Sequence, residues 1–330
     1  AQARAQGWLA RSPLAYLVLD REAGEFFLRS RAAAFPGRQI AGFFGIMSGP
    51  LWDHIDANIL NLTGAQHRRL RTLVGRAFTP RAAGQWRPVM RDLLARLWDE
   101  VPAGHGEFMG AVARPYPALT IAAVLGAPAA DAAQLQEWSN LASAFLAAED
   151  DGERLSHAEC VNPVVNVLAG AIDTTQSQLG HALRLFAARP EQWARLAAEP
   201  ALVPRAVQEV LRFEPITPFT ARICLEDIEY RDVTFPAGTI VAVCAERGNR
   251  QVGGEEFDIT AERGGGLLTF GAGPHFCLGV NLARAELEEA LTFLAPRMPG
   301  LTLAGDPELG GVEGIYGIDR PPLRWAVRTT

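Results

Sequence analysis

The chain has 330 residues, of which 48% are hydrophobic and 21% are charged. This composition excludes a mainly disordered protein and is sufficient for a sizeable hydrophobic core. The formal net charge is −6, which argues against a general nucleic-acid binder. Because we find neither an apolar run of the about 20 residues that span a bilayer nor a signal peptide, we expect a soluble, cytoplasmic protein without a membrane partner.

Helical periodicity dominates the chain, with apolar residues recurring at intervals of three and four. In chain order, the predicted helices cover residues 66–78, 81–101, 117–128, 131–150, 156–188, 190–200 and 203–215. The longest begins at a capping box formed by Ser156 and Glu159, and Pro163 should weaken or kink its early turns.

Strand-forming segments are fewer. Runs rich in β-branched and aromatic residues predict a strand at 13–20, a hairpin followed by a strand at 228–246, and a short strand at 321–329. We find no internal repeat and no linker composition. The sequence therefore predicts a mainly α protein with a small β part, folded as a single domain over residues 1–330.

The four cysteines, Cys160, Cys224, Cys244 and Cys277, form no C-x-x-C pair and so do not indicate a disulfide framework or a zinc site. Cys277 lies between a glycine-rich run and a predicted helix start in FGAGPHFCLGVNLAR, residues 270–284. Free N–H groups and the dipole at a helix N-terminus stabilise a thiolate. These features indicate either an exposed thiolate presented by a tight loop or an ordinary core cysteine after a glycine turn.

The whole string is more specific than the cysteine alone. It matches F-G-x-G-x-H-x-C-x-G-x-x-L-A-R at Phe270, Gly271, Gly273, His275, Cys277, Gly279, Leu282, Ala283 and Arg284. It resembles the haem-ligand loop of the cytochrome P-450 superfamily, soluble bacterial type. The resemblance implies the cytochrome P-450 fold, haem b as cofactor, Cys277 as the axial iron ligand, and a loop whose glycines and Phe270 border the haem. Such a thiolate ligand favours cleavage of the O–O bond.

A second segment, GAIDTTQS at residues 170–177, lies in the middle of the longest predicted helix. It is similar to the family's oxygen-activation segment, which implies that Asp173 and Thr174 are an acid–alcohol pair that supplies protons. Gly170 and Ala171 would leave room for O2, although the family usually has a second glycine where this chain has Ala171. Without the cysteine loop, these would be ordinary polar residues of a helix.

The segment EVLR places Glu209 and Arg212 at i and i+3 on one face of a predicted helix. The spacing alone is common and fits a solvated ion pair. In the family this pair is buried and structural, and removing one partner of such a pair costs about 3–5 kcal/mol. A second arginine usually precedes an F-D pair, where this chain has Glu256; Arg250 or Arg263 could replace it.

Haem propionates are anions and need cationic or hydrogen-bonding partners. The resemblance implies four of them, namely His67, Arg71, Arg222 and His275. The other histidines are expected to be structural or surface residues: His54, His105, His157 and His181.

Three further arginines, Arg68, Arg69 and Arg76, lie on the same predicted helix as His67. They form either a solvated face or, as the resemblance implies, a docking patch on the Cys277 side of the haem. The partner at such a patch would be an acidic, ferredoxin-like electron donor, because opposite charge steers association.

The family's layout also implies a substrate pocket formed by the long helix together with residues 43–52, 216–219 and 314–317. The expected contacts are Ala171, Ile216, Thr217, Phe219, Trp52 and Tyr316. The aromatic residues among them favour an aromatic or peptide-like organic substrate.

Two regions are short for the family. The N-terminus lacks the usual first helix and leading strand, and residues 141–156 leave no room for most of the distal lid helices. Either the natural protein is truncated there, or these residues are the ordered part of a longer chain. An impossibly long peptide bond near residues 144–147 would indicate the second.

Together the motifs predict a haem-thiolate monooxygenase that uses O2 and two electrons from a redox partner. Its substrate would be a small organic molecule of secondary metabolism, oxidised by hydroxylation or oxidative coupling. The alternatives are a peroxide-driven haem-thiolate oxidase and a non-catalytic haem sensor or carrier. Asp173 and Thr174 argue against both alternatives.

Overall fold

The computed structural model describes residues 7–101, 104–106, 108–126, 149–150, 153–154, 157–311 and 314–326. Its α-helices are α1 (Arg21–Arg29), α2 (Gly37–Phe43), α3 (Pro50–Asp56), α4 (Gly64–Gly75), α5 (Pro80–Gln85), α6 (Arg87–Trp98), α7 (Pro115–Val124), α8 (His157–Ala187), α9 (Pro190–Ala198), α10 (Val203–Phe213), α11 (Ala245–Gly253) and α12 (Val280–Leu294). Short 3-10 helices cover Arg76–Phe78, Pro200–Leu202, Leu268–Phe270 and Gly273–His275, and Met109–Ala113 forms a π-helical turn. Among the described residues, we find no helix long and apolar enough to cross a membrane.

The strands are short. They are β1 (Leu9–Arg11), β2 (Tyr16–Val18), β3 (Ala33–Ala34), β4 (His105–Gly106), β5 (Glu149–Asp150), β6 (Glu153–Arg154), β7 (Phe219–Cys224), β8 (Ile228–Tyr230), β9 (Val233–Phe235), β10 (Ile240–Cys244), β11 (Thr302–Leu303), β12 (Glu308–Leu309), β13 (Ile318–Arg320) and β14 (Leu323–Arg324). The main sheet has the order β1-β2-β10-β7-β3; β2 and β10 pair in parallel and the other neighbours are antiparallel. The prediction of a mainly α protein with a small β part is confirmed.

The largest hydrophobic core lies among α6, α7, α8, α10 and α12. A second cluster lies against the main sheet, where α1 packs Phe27 onto Phe235 and Val243. Helix α12 therefore runs through the main core and begins directly after the loop that carries Cys277. This arrangement places the predicted ligand loop at the junction of the helical core and the sheet.

The predicted helix over 81–101 is wrong as a single element, because it divides into α5 and α6 at Trp86. Pro88 has no N–H to continue the hydrogen-bond ladder of α5 and occupies the first turn of α6, where that loss has no cost. The predicted loop at residues 43–52 also contains helix, since α2 ends at Phe43 and α3 begins at Pro50. The predicted strand at 228–246 ends at Cys244.

The longest predicted helix is confirmed as α8, whose 31 residues extend about 46 Å. Its helical assignment continues past Pro163. Four sequence predictions lie on residues outside the described ranges. They are the capping residue Ser156, the helix at 131–150, the shortage of lid helices and the long peptide bond near 144–147.

One carboxyl group lies in the main core. Glu286 on α12 is 2% exposed, and the Thr175 hydroxyl of α8 is 3.4 Å from its Oε2. Tyr116 of α7 donates a hydrogen bond to the Glu286 backbone carbonyl (3.1 Å). Burial raises the pKa of Glu286 well above the ordinary value of 4.5, because it disfavours the charged form.

A pH-dependent stability follows for Glu286. Between the unfolded pKa and the raised folded pKa, the folded state binds one proton more, so this group's stabilisation is complete below about pH 4.5 and declines as pH rises. The slope is about 1.4 kcal/mol per pH unit for one proton. Glu286→Gln, a neutral isostere, should remove it, so the variant's stability relative to the parent should increase from pH 5 to 8 in denaturant unfolding. A difference that stays constant over this range would contradict the prediction.

Candidate functional site

The loop of Cys277 consists of two 3-10 turns followed by the start of α12. The Cys277 N–H donates to the carbonyl of Phe270 (2.9 Å), which closes the loop. The sulfur accepts hydrogen bonds from the backbone N–H groups of Gly279 and Val280. The predicted helix start with N–H groups directed at the sulfur is therefore present.

The environment of the thiol differs from the expected exposed thiolate, because Cys277 is half-buried. Burial raises the pKa of Cys277, and the two N–H groups and the positive charge of Arg71 offset this only in part. The protein alone therefore favours the neutral thiol. A metal cation bound to the sulfur would deprotonate it, so the donor set fits a metal-ligating cysteine better than a free nucleophile.

The glycines of this loop are present for different physical reasons. Gly271 and Gly273 both have φ of +70°. A Cβ at Gly273 would lie 2.7 Å from the Leu28 carbonyl oxygen and 2.8 Å from the Arg29 Cα. Gly279 has φ of −82°, and a Cβ there would meet no atom of the described residues within 4 Å. The described part of the chain therefore does not require glycine at position 279, and the open space there fits a bound group.

Alanine substitutions should separate these two reasons. Gly273→Ala should destabilise the fold by about 1–3 kcal/mol, because the methyl meets backbone atoms at a strained φ. Gly279→Ala should change the stability of the haem-free protein by no more than about 1 kcal/mol, yet weaken haem binding. Denaturant unfolding and haem titration measure the two effects. Equal effects of both variants on both quantities would contradict this assignment.

Four cationic or hydrogen-bond-donating groups lie together near Cys277. Arg222 of β7 is 3% exposed, and burial lowers its pKa to about 10. Its Nη1 donates only to the carbonyl of Ala221 (2.9 Å), and no carboxylate pairs with it in the described part of the chain. The rings of His67, on α4, and His275 lie 4.3 Å apart.

The positive charges in this cluster change the pKa of a histidine that belongs to it. Burial first, and then the charges of His67, Arg222 and Arg71, lower the pKa of His275 to about 4. The His275 Nδ1 is buried without a hydrogen-bond partner among the described residues, and Arg71 donates to the carbonyl of Phe276. Buried cations and an orphaned ring nitrogen without acidic partners among the described residues fit an anionic ligand such as haem propionates.

The oxygen-activation segment lies on α8. The Thr174 hydroxyl donates to the carbonyl of Gly170 (2.5 Å), a common back-bond in helices. Asp173 is exposed and accepts a hydrogen bond from Gln176 (3.2 Å), and among the described residues no hydrogen bond joins its carboxylate to the Thr174 hydroxyl. Gly170 is exposed with open space around it, and Ala171 is partly buried against the main core.

The Glu209–Arg212 pair is buried and bidentate, as the resemblance implies. Arg212 donates to both carboxylate oxygens at 2.7 and 2.8 Å, and the side chains are 4% and 3% exposed. The third partner is Arg263, whose Nε lies 3.1 Å from Glu209 Oε2. Arg250 instead pairs with Glu246 and Glu255.

The expected substrate contacts fall into two groups. The Tyr316 N–H donates to the carbonyl of Ile216 (2.6 Å), so these two segments meet. Trp52 and Thr217 are partly buried. Phe219 begins β7 and packs against a small cluster at the sheet with Leu17 and Cys244.

Two buried polar residues were missed from the sequence. Glu286 is four residues from Leu282 and from Ala290, so a charged residue on the apolar face of an amphipathic helix was the available signal. His181, assigned only a structural or surface role, is fully buried on α8 and bonds to the segment of Tyr316. No local signal identifies that contact, because its partner lies 135 residues away.

Comparisons with known proteins agree with this geometry. The Cytochrome P450 family model matches residues 129–252. The Luteothin monooxygenase of Streptomyces thioluteus is 33% identical over 98% of this chain and 92% of its own length. That alignment extends over 373 residues, more than the 330 of this chain, so the relative carries insertions. The Nocardicin C N-oxygenase of Nocardia uniformis subsp. tsuyamanensis is 33% identical over 76% of this chain and 74% of its own length.

Solved structures show the same fold. A mutant of P450 EryK in complex with erythromycin B superposes with a TM-score of 0.84 at 26% identity, covering 100% of this chain and 96% of that one. With the fold, the cysteine loop and a relative aligned along almost its whole length, the chain belongs to the cytochrome P450 family, whose cofactor is a haem iron, and it is a P450 monooxygenase.

Proposed function

We propose that Cys277 ligates the iron of haem b and that this chain oxidises a small organic molecule of secondary metabolism. The observation that supports this most directly is the cluster of His67, Arg71, Arg222 and His275 beside the Cys277 sulfur. It holds buried positive charge without acidic partners among the described residues. When bound, a thiolate-ligated haem supplies the electron density that favours cleavage of the O–O bond of O2.

On the cysteine side, the protein orients and moderates the ligand. The N–H groups of Gly279 and Val280 donate to the sulfur and so reduce the charge it presents. Arg222, His67, Arg71 and His275 would hold the propionates, with the His275 Nδ1, which has no partner among the described residues, as one N–H donor. The cofactor would be bordered by Phe270, Gly271, Gly273 and Gly279. The Arg284 guanidinium lies 5.5 Å from the ring centroid of Phe270.

On the opposite side, we assign proton supply to Asp173 and Thr174. Asp173 is exposed on α8, so it exchanges protons with water, while the Thr174 hydroxyl holds its hydrogen bond within the helix. A proton would pass from Asp173 to the Thr174 hydroxyl through water, since the two side chains do not bond directly.

Electrons would come from an acidic, ferredoxin-like donor at the Cys277 side. Of the three arginines predicted for this patch, Arg68 and Arg76 are exposed and Arg69 is half-buried. The exposed Arg81 follows them in the chain, and Phe276 next to the cysteine is 37% exposed. The end of α4 approaches the same loop, because a Cβ at Gly75 would lie 3.8 Å from Leu278. Positive charge around a partly apolar centre suits transient docking of an acidic partner.

The substrate pocket would include Gly170, Ala171, Ile216, Thr217 and Tyr316, with Trp52 and Phe219 at its edges. The relatives named Luteothin monooxygenase and Nocardicin C N-oxygenase support a substrate of secondary metabolism. The aromatic side chains of Trp52, Phe219 and Tyr316 favour an aromatic or peptide-like one. We assign all of this to one haem-binding catalytic domain over residues 1–330, because the Luteothin monooxygenase aligns along 98% of the chain and the P450 EryK structure along 100%.

A turnover assay tests the function. The haem-loaded protein is supplied with a ferredoxin, its reductase and NADPH, and organic compounds are first screened for a spectral shift of the haem. We expect an oxidised product that requires O2 and the electron donor, and much slower formation with Thr174→Ala. Turnover that needs only peroxide and is indifferent to Thr174→Ala would contradict the proposal.

A further inference from the structure

A buried polar cluster lies on α8, one to three turns beyond Thr174. We name Gln178, His181, Arg184, Glu214 and Tyr316 the His181 cluster. His181 Nε2 lies 2.9 Å from the Tyr316 carbonyl, and the two rings stack with centroids 4.6 Å apart. The Arg184 Nε donates to His181 Nδ1 (3.3 Å), and Arg184 pairs with Glu214 at 2.8 Å. The cluster connects α8 to the end of α10 and to the loop of Tyr316.

The partners of His181 define its protonation state. Nδ1 faces a guanidinium N–H and so accepts, while Nε2 faces a carbonyl oxygen and so donates. This is the neutral tautomer with the proton on Nε2. Burial and the charge of Arg184 lower the pKa of His181 to about 4, although its Nδ1 is also 4.0 Å from the Glu214 carboxylate. His181 is therefore a neutral bridge with one donor and one acceptor in use.

The cluster meets the segments assigned to the substrate pocket. The Tyr316 carbonyl is bound by His181, and the Tyr316 N–H is bound by the carbonyl of Ile216. Gln178 donates to the backbone carbonyl of Glu214 (3.0 Å), just before the Ile216 segment. One residue from His181, Gly180 lets α8 approach the next strand, since a Cβ there would lie 2.5 Å from Ile318 Cγ2.

We propose that His181 is a positioning residue that determines the shape of the substrate pocket. Its Nε2–H bond holds the loop of Tyr316 against α8, and through the Tyr316 N–H it holds the Ile216 segment as well. This inference rests on the proposed function, because that function assigns both segments to the pocket. Among the described residues, no hydrogen bond or ring contact joins His181 to the haem-ligand loop or to Thr174, so we expect its effect to be on which ligands fit.

Loss of the hydrogen bond between His181 Nε2 and the Tyr316 carbonyl should change the affinity for ligands more than it changes the affinity for haem. Without the imidazole, the Tyr316 carbonyl and the Arg184 Nε lose buried partners, and the loop gains other conformations. Binding of a large ligand must then order the loop, and this entropic cost weakens its affinity. The affinity of a small ligand that does not reach the loop is unaffected.

Hydrogen exchange of the haem-loaded protein tests the positioning without substrate. His181→Leu should accelerate exchange of the Tyr316 amide at least about tenfold, which corresponds to about 1.4 kcal/mol of local opening. His181→Gln, whose amide can still donate to the Tyr316 carbonyl, should recover most of the protection. Phe186→Leu, a fully buried change on the same helix that contacts Trp193 and Phe257, serves as the matched control. In the Phe186→Leu variant, the Tyr316 amide should exchange at the same rate as in the parent protein.

Ligand titration tests the consequence with two probes that bind haem iron through an imidazole nitrogen. In His181→Leu, the dissociation constant for 4-phenylimidazole should increase about tenfold, and that for imidazole should not change. Normal protection of Tyr316 and unchanged 4-phenylimidazole affinity in His181→Leu would overturn the proposal. A parent protein without the spectrum of thiolate-ligated haem would instead overturn the proposed function.

Discussion

Cys277→Ala should abolish the red-shifted Soret band of the reduced, CO-bound protein and most of its haem content. The red shift requires a thiolate ligand. Cys224 and Cys244 are buried in β7 and β10 of the main sheet. Among the three cysteines whose surroundings the structure describes, Cys277 is the one that has both sulfur-directed N–H groups and the charge of Arg71 beside it.

Two further variants make this test specific. Cys244→Ala, a buried cysteine away from the loop, should keep the band. Cys277→His offers a neutral nitrogen ligand and should retain some haem without the red shift. Absorption spectra of the reduced protein with and without CO measure all three. A Cys277→Ala protein that keeps the band would show that Cys277 is not the ligand.

Arg212→Ala should lower the free energy of unfolding by about 3–5 kcal/mol, because it leaves the buried Glu209 carboxylate without its bidentate partner. Arg263→Ala should cost less, about 1.5–3 kcal/mol, since Arg263 makes one contact with Glu209 and is 19% exposed. Arg212 also donates to the carbonyls of Gly254 and Glu256, so its loss should loosen that segment and reduce haem retention.

Denaturant unfolding and haem content measure these effects, with Arg205→Ala as the control. Arg205 pairs with Glu262 at the surface, with side chains 42% and 85% exposed, so its loss should cost less than about 1 kcal/mol. Glu256→Arg, which restores the arginine usual in the family, should recover part of the stability lost in Arg263→Ala. An Arg263→Ala protein as stable as the Arg205→Ala control would exclude Arg263 as the third partner.

Elements with a continuous local signal were predicted well. The 31-residue helix α8 and the hairpin of β8 and β9 follow their apolar periodicity. The split between α5 and α6 was missed although Pro88 was visible, because an apolar pattern that continues across a proline outweighed the missing N–H. Strand β1 was missed because its three residues form a strand only by pairing with β2.

The family and the order of the motifs could be predicted without a structure, and so could the candidate ligand loop. These features are contiguous strings, and residues 270–284 contain the cysteine, the required glycines and the helix start within one local segment. Only the tertiary structure decided that Cys277 is half-buried with a raised pKa, that Arg263 rather than Arg250 joins Glu209, and that His181 holds the loop of Tyr316. Each of these depends on packing between segments distant in the chain, which local residue patterns do not specify.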